Sequence, residues 1–216
     1  MKKLLSLVLV FVLALSLVAC GSGNSGNNTN NNTNNNTNEN IDDNNDDVKD
    51  LTVNDILEKL KEALGDGFYA TETVAEEDLY TCALGMGEED TDMSKIEEYV
   101  ALITKVPSVN HDQVVIVKLK DESYADTIVE TFNAAYNQCV NYTKLYPIGA
   151  AKVSSIRIYR EGAFVIYICG GADLPDSDAS EEDIAKNVEK EYEKIDNAIK
   201  EIFGSLPENL AKINEE

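Results

Sequence analysis

Few residues in this chain are of the types that make or break bonds. There is one histidine, His111, in the turn-like stretch SVNHDQ, and there are four cysteines, Cys20, Cys82, Cys139 and Cys169. No two cysteines stand in a CxxC spacing, so neither a zinc ribbon nor a thioredoxin-like dithiol has support. Ser154 and Ser155 lack the Gly-x-Ser-x-Gly turn of a hydrolase nucleophile. A lone imidazole in a turn reads as exposed rather than catalytic. Among 40 acidic side chains a carboxylate pair would arise by chance, so such a pair is uninformative. The residue types point away from an enzyme.

Two acidic clusters invite a test for hard cations, GEEDTDMSKIEE (87–98) and DLPDSDASEED (173–183). Asp176, Asp178 and Ser180 fall at alternate positions, but an EF-hand count from Asp176 needs Gly sixth and Glu twelfth, where Glu181 and Asn187 stand. An acidic cap on a helix starting near Ser180 explains the same carboxylates through the helix dipole. No metal site is assigned. Tyrosine is the other oddity, ten residues with no Trp. Tyr142, Tyr146 and Tyr159, with Tyr136 and Tyr167, could gather at a helix-to-hairpin junction and offer stacking faces to a sugar or peptide. Amphipathic tyrosines at the rim of a core give the same count.

The N-terminus is more specific. Lys2 and Lys3 precede an apolar run, Leu4 to Ala19, interrupted by Ser6 and Ser16 only. This is the charged start and apolar stretch of a secretory signal, too short for the roughly 20 residues that span a bilayer as an uncleaved anchor. Leu17-Val18-Ala19-Cys20 is similar to the lipobox of bacterial lipoproteins. The resemblance implies cleavage between Ala19 and Cys20 and a diacylglyceryl group on the Cys20 thiol, with palmitate-type chains. Two acyl chains anchor stably where one holds marginally. It places the chain on the outer face of the cell membrane. Beyond that covalent lipid no cofactor is expected.

From Gly21 to Asp50 the only apolar side chains are Ile41 and Val48, and Thr29, Thr33 and Thr37 recur within asparagine. Such a stretch cannot offset the entropy of ordering and reads as a low-complexity tether. Its coil dimension is roughly 30 Å, its full stretch about 100 Å. The net charge is −22; without Lys2 and Lys3 it is −24, 16 basic side chains facing 40 acidic ones. Nucleic acid and anionic headgroups would be repelled, so membrane residence rests on the lipid. An extracytoplasmic location permits a disulfide, with Cys139 and Cys169 the pair in view. Their apolar surroundings and the odd count favour buried free thiols.

These features divide the chain into a signal peptide (1–19), a lipidated linker (20–50), an α+β domain (51–172), and an acidic loop with a C-terminal helix packed on that domain (173–216). Within the domain, Thr52 and Asp55 resemble a capping box for a helix that carries Ile56, Leu57, Leu60 and Leu64 on one face and stops at Gly65. A strand near 67–73 and short helical turns around 75–84 and 94–98 follow. YVALIT (99–104) and QVVIVKL (113–119) read as strands. A helix over 123–143, capped by Ser123, carries Ala125, Ile128, Val129, Phe132, Tyr136 and Cys139 as an apolar stripe. SSIRIY (154–159) and AFVIYIC (163–169) form a hairpin, Ile156 and Ile158 buried, Arg157 and Tyr159 wet. Ser180 to Phe203 is a second long helix. The order β-β-α-β-β predicts a mainly antiparallel sheet of about four strands with helices on one face.

The run from VALITKVP through HDQVVIVKLKD, the long helix, Tyr146-Pro147 and EGAFVIYICG resembles domain-of-unknown-function family 4358 over about residues 51–170. Its members are mostly lipoproteins of low-GC Gram-positive bacteria. The resemblance implies a compact α+β lipoprotein and carries no activity or catalytic residue. The functional expectation is a non-enzymatic envelope domain that binds another component, a protein. Two alternatives stand beside it, a small-ligand or cell-wall glycan binder using Tyr142, Tyr146 and Tyr159, and an envelope hydrolase.

Overall fold

Helix α1 (Val53–Leu64) begins at the capping box: the Asp55 amide donates to Thr52 Oγ1 (3.2 Å) and the Thr52 amide to Asp55 Oδ2 (2.9 Å). Val53, Ile56, Leu57, Leu60 and Leu64 are buried along one face, and Gly65, at φ 51°, ends the helix where a side chain would be strained. The computed structural model describes residues 51–79, 84–86, 91–107, 110–147, 149–171 and 179–214.

Five strands follow: β1 (Glu72–Thr73), β2 (Ile96–Ile103), β3 (Gln113–Leu119), β4 (Arg157–Glu161) and β5 (Phe164–Cys169). They pair in the order β1-β2-β3-β5-β4, antiparallel throughout. The α+β class and the two hairpins match the sequence reading. The fifth strand is β1, two residues that pair Glu72 with Ile103 and Thr73 with Leu102. The register aligns Val100, Ile116, Ile166 and Tyr159 in one cross-strand row, and Ala101, Val115, Tyr167 and Ile158 in the next.

Those rows lie on opposite faces, and both faces are buried. The first packs with α1 and with α4 (Glu181–Phe203). The second packs with α2 (Ala125–Leu145), with α3 (Ala150–Ser154), and with Leu79, Leu84 and Met86. The expectation of helices on one face is thus corrected to helices on both. Successive apolar residues in β3 and β5 account for it, since strands covered on two sides lose the alternation of polar and apolar positions. In β4, Arg157 and Tyr159 look wet by type, but α4 covers them and Asp196 bonds to both. Each fully buried aliphatic or aromatic side chain stabilises by about 1.5–3 kcal/mol relative to exposure.

Local chemistry shifts several boundaries. Asp121, rather than Ser123, does the capping ahead of α2: its Oδ1 accepts from the Ser123 amide (2.9 Å) and closes a 3₁₀ turn over Glu122–Tyr124. Ser154 and Ser155 form no strand. Their hydroxyls both donate to the Ala151 carbonyl (2.9 Å each) and close the end of α3, so β4 starts at Arg157. Helix α4 is capped by Ser180, whose Oγ accepts from the Asp183 amide (3.2 Å), with Glu181, Glu182 and Asp183 complementing the dipole. It ends at Gly204, φ 75°. Residues 205–214 continue without regular structure along α2 and β4.

Candidate functional site

Three polar constellations stand out, and the first is a buried ion pair. Asp112 immediately precedes β3 and Lys152 lies on α3. Lys152 Nζ sits 2.5 Å from Asp112 Oδ1, with the two side chains 4% and 1% exposed. Around it the Asp112 carbonyl accepts from the Thr104 amide (2.9 Å), the Lys152 carbonyl accepts from Tyr192 Oη (3.1 Å), and Lys152 Nζ lies 5.9 Å from the Tyr69 ring centre. The pair therefore joins the end of β2, the start of β3, α3 and α4. Burial pushes the Asp112 carboxyl above the usual carboxylate range, and the Lys152 charge pulls it part of the way back. Two charges this deep stabilise only while paired. Enclosed as they are, they act on the fold.

Beside the pair, His111 is half-buried rather than exposed in a turn, and its Nε2 finds no hydrogen-bond partner among the described residues. Its ring meets Tyr142 edge-on (centroids 5.9 Å, 75°), and Tyr142 stands 5.0 Å from Tyr146. Gly149, at φ 71°, lies against the imidazole, where a β-carbon would come within 3.1 Å of His111 Cδ2. Tyr142 and Tyr146 are 43% and 56% exposed. The structure brings these two together. Tyr159 is not with them: it is 1% exposed and packs on the α1–α4 side of the sheet. Tyr136 and Tyr167 are core residues of the α2 side.

The second constellation explains where Tyr159 went. Its hydroxyl bonds to Asp196 of α4, and burial with that carboxylate raises the phenol's pKa well above its ordinary value. Arg157 grips the same carboxylate through Nε (3.1 Å) and Nη2 (3.3 Å) and lies 4.9 Å from the Tyr192 ring centre. This cluster fastens α4 to β4.

The third involves the C-terminal segment. Asn133 and Asn137 stand four apart on α2. Asn133 Nδ2 donates to the Leu210 carbonyl (3.1 Å), and its Oδ1 accepts from the Lys212 amide (2.7 Å). Asn137 repeats the grip one step on, donating to the Lys212 carbonyl (2.9 Å) and accepting from the Asn214 amide (2.8 Å). On the other side, the Leu210 amide donates to the Ile158 carbonyl (2.7 Å), and Asn209 Oδ1 accepts from the Ile158 amide (2.9 Å). Leu210 and Ala211 pack against the core. Sequence reasoning missed this strap; the sole trace is the i, i+4 spacing of two asparagines on an amphipathic helix.

The remaining candidates divide by position. Ala19 and Cys20, the signal and linker segments 1–50, Cys82, and Asp176 and Asp178 of the acidic loop lie outside the described residues. Among the described residues no three His, Cys, Asp or Glu side chains cluster as metal ligands, and no helix is long and apolar enough to cross a membrane. Ser180 serves as the α4 cap. Cys139 and Cys169 are free thiols, and burial raises the pKa of each. Open clefts of about 610 and 330 Å³ run along α1 beside α4, lined by residues such as Lys59, Glu62 and Glu201 and by none of the three tyrosines.

Comparison with curated proteins returns no match, and comparison with solved structures returns none either. Comparison with protein families does. The match begins later than the sequence resemblance reached, leaving out α1, and it takes in β2 to β5 with α2 and α3. Residues 90–170 of the chain are similar to the family described as Domain of unknown function (DUF4358).

Proposed function

We propose that this chain is a lipid-anchored, extracytoplasmic interaction domain that binds another component of the cell envelope, a protein, without catalysing a reaction on it. The observation that carries the reading is the order of Lys2-Lys3, an apolar run, Leu17-Val18-Ala19-Cys20 and an asparagine-rich tether. That order delivers a folded domain to the outer face of a membrane and gives it a reach of tens of ångströms. A binding role is supported by where the buried charges go. Asp112 with Lys152, and Asp196 with Arg157, hold helices to the sheet. The −22 charge disfavours nucleic acid and anionic lipid as partners. The glycan alternative loses Tyr159 to the core, and nothing in the arrangement favours it over a protein partner.

Fatty-acid labelling tests the anchor. The full chain takes up label and Cys20→Ser does not; label persisting in the variant refutes lipidation at that thiol. In-cell crosslinking followed by purification tests the binding role, and the absence of any enriched protein would count against it.

A further inference from the structure

We infer that the groove between α2 and the outer edge of β4 is a receptor for an extended polypeptide segment, which segment 205–214 occupies in cis until a partner strand displaces it. This inference rests on the interaction reading above and names the chemistry of the partner. Its first support is metrical. Four residues of α-helix rise about 6 Å, and two residues of extended chain advance about 6.6 Å. Asn133 and Asn137 therefore fall in step with alternate residues of a bound extended segment. Each presents one donor and one acceptor to its main chain, at Leu210–Lys212 and at Lys212–Asn214. These contacts read peptide backbone, with side-chain demands confined to Asn209, Leu210 and the small Ala211.

The second support is what the strap leaves unused. β4 is an edge strand. Ile158 turns its amide and carbonyl outward, to Asn209 Oδ1 and to the Leu210 amide. By the two-residue period of a strand, the next outward pair belongs to Arg160, and the strap bonds along this edge to Ile158 and Ile156. A true strand added here would pair with both Ile158 and Arg160, the main-chain mode of strand addition. It thereby gains bonds that the strap does not make. A second copy's strap would make only the same bonds as the resident one, without the advantage of attachment.

The third support is that the strap can leave. It hinges at Gly204, where φ is 75° and nothing lies within 4 Å of a would-be β-carbon. Leu206 and Ile213 are 44% and 49% exposed. The strap's bonds to Asn137 and from the Lys212 amide to Asn133 are exposed, and a segment held by exposed hydrogen bonds opens at low free energy. The partner is thus an extended protein segment carrying Asn, an apolar residue and a small residue in succession, free to run on along β4.

The test titrates the full chain with a labelled synthetic peptide of sequence SLPENLAKIN, followed by fluorescence anisotropy. In a full-chain variant with a weakened strap, Asn209→Ala with Leu210→Ala, the peptide should bind at least about tenfold more tightly than to the unaltered chain. Adding Asn133→Ala and Asn137→Ala should remove that gain, with circular dichroism verifying the fold. Amide exchange at Arg160 should slow on addition of a peptide lengthened by three β-branched residues. Failure of the weakened-strap variant to bind overturns the inference, as does binding indifferent to Asn133 and Asn137. A strap-exchanged dimer seen by sedimentation of the unaltered chain overturns it in favour of a second copy. Equal crosslinking of a cellular partner by the unaltered chain and by the Asn133→Ala, Asn137→Ala variant overturns the groove while leaving the interaction role standing.

Discussion

The two faces of the sheet are closed in different ways. One is covered by α1 and α4, which set Leu60, Ile195 and Ile199 at 0% exposure against Ile116 and Ile168. The other is covered by α2, by the short α3, and at its margin by a strap whose main attachments are asparagine amides. Apolar burial is non-directional and hard to exchange piecemeal, whereas backbone hydrogen bonds at a surface trade readily for those of another segment or of water. The first face holds the fold. The second has a margin held largely by hydrogen bonds.

The junction between the faces is the most sensitive point, because α3 meets α4 there through Tyr192 and the Lys152 carbonyl. Lys152→Met leaves Asp112 buried and unpaired and should cost about 3–5 kcal/mol in denaturant unfolding. Adding Asp112→Leu should recover most of that; no recovery would mean that the pair positions something beyond itself. Next, Ile195→Ala on the helix-covered face should cost about 2–5 kcal/mol. Leu210→Ala on the strap, already part-exposed, should cost about 1 kcal/mol. Equal costs would erase the contrast between the faces. Asn133→Ala should come lower still in global unfolding, while hydrogen exchange at the Lys212 amide accelerates; protection unchanged there would show that the asparagine does not hold the strap.

The smallest effects are in pH dependence, and their signs differ by region. Burial raises the Asp112 carboxyl, so its folded-state pKa exceeds the unfolded value. Its contribution is fully present below about 3.9 and is lost as pH rises through the raised value. Stability measured against Asp112→Asn should shift toward the unaltered chain as pH falls from 7. Asp55 behaves oppositely. Hydrogen bonds with Thr52 lower its pKa, so its contribution is present above the unfolded value and is lost as pH falls through the lowered one. The corresponding comparison with Asp55→Asn should shrink on acidification. Two curves of the same slope would contradict the assignment of burial to one carboxylate and capping to the other.

Much of the fold was legible because its signals are local. Thr52 and Asp55 announce α1, Ser180 announces α4, and QVVIVKL became β3 at the residues read from it. The two-sided burial was also written in the unbroken apolar runs of β3 and β5. Arg157 and Tyr159 hid it, since their types suggest water until Asp196 arrives from a helix nearly forty residues away. His111 was hidden likewise: its burial depends on Gly149 and Tyr142, which come close only when α2 and α3 fold back.

The amino-acid order alone determined the capped helices, the strands, the acidic charge, and the likeness of Leu17–Cys20 to a lipobox ahead of an asparagine-rich stretch. All of these follow from neighbours within a few residues, where propensity and pattern act. Tertiary structure alone decided that Tyr159 leaves Tyr142 and Tyr146, that Asp112 finds Lys152, and that Asn133 and Asn137 grip residues 210–214. Each joins residues distant in sequence, and such contacts have no local pattern to betray them because packing of the two sheet faces chooses the partner.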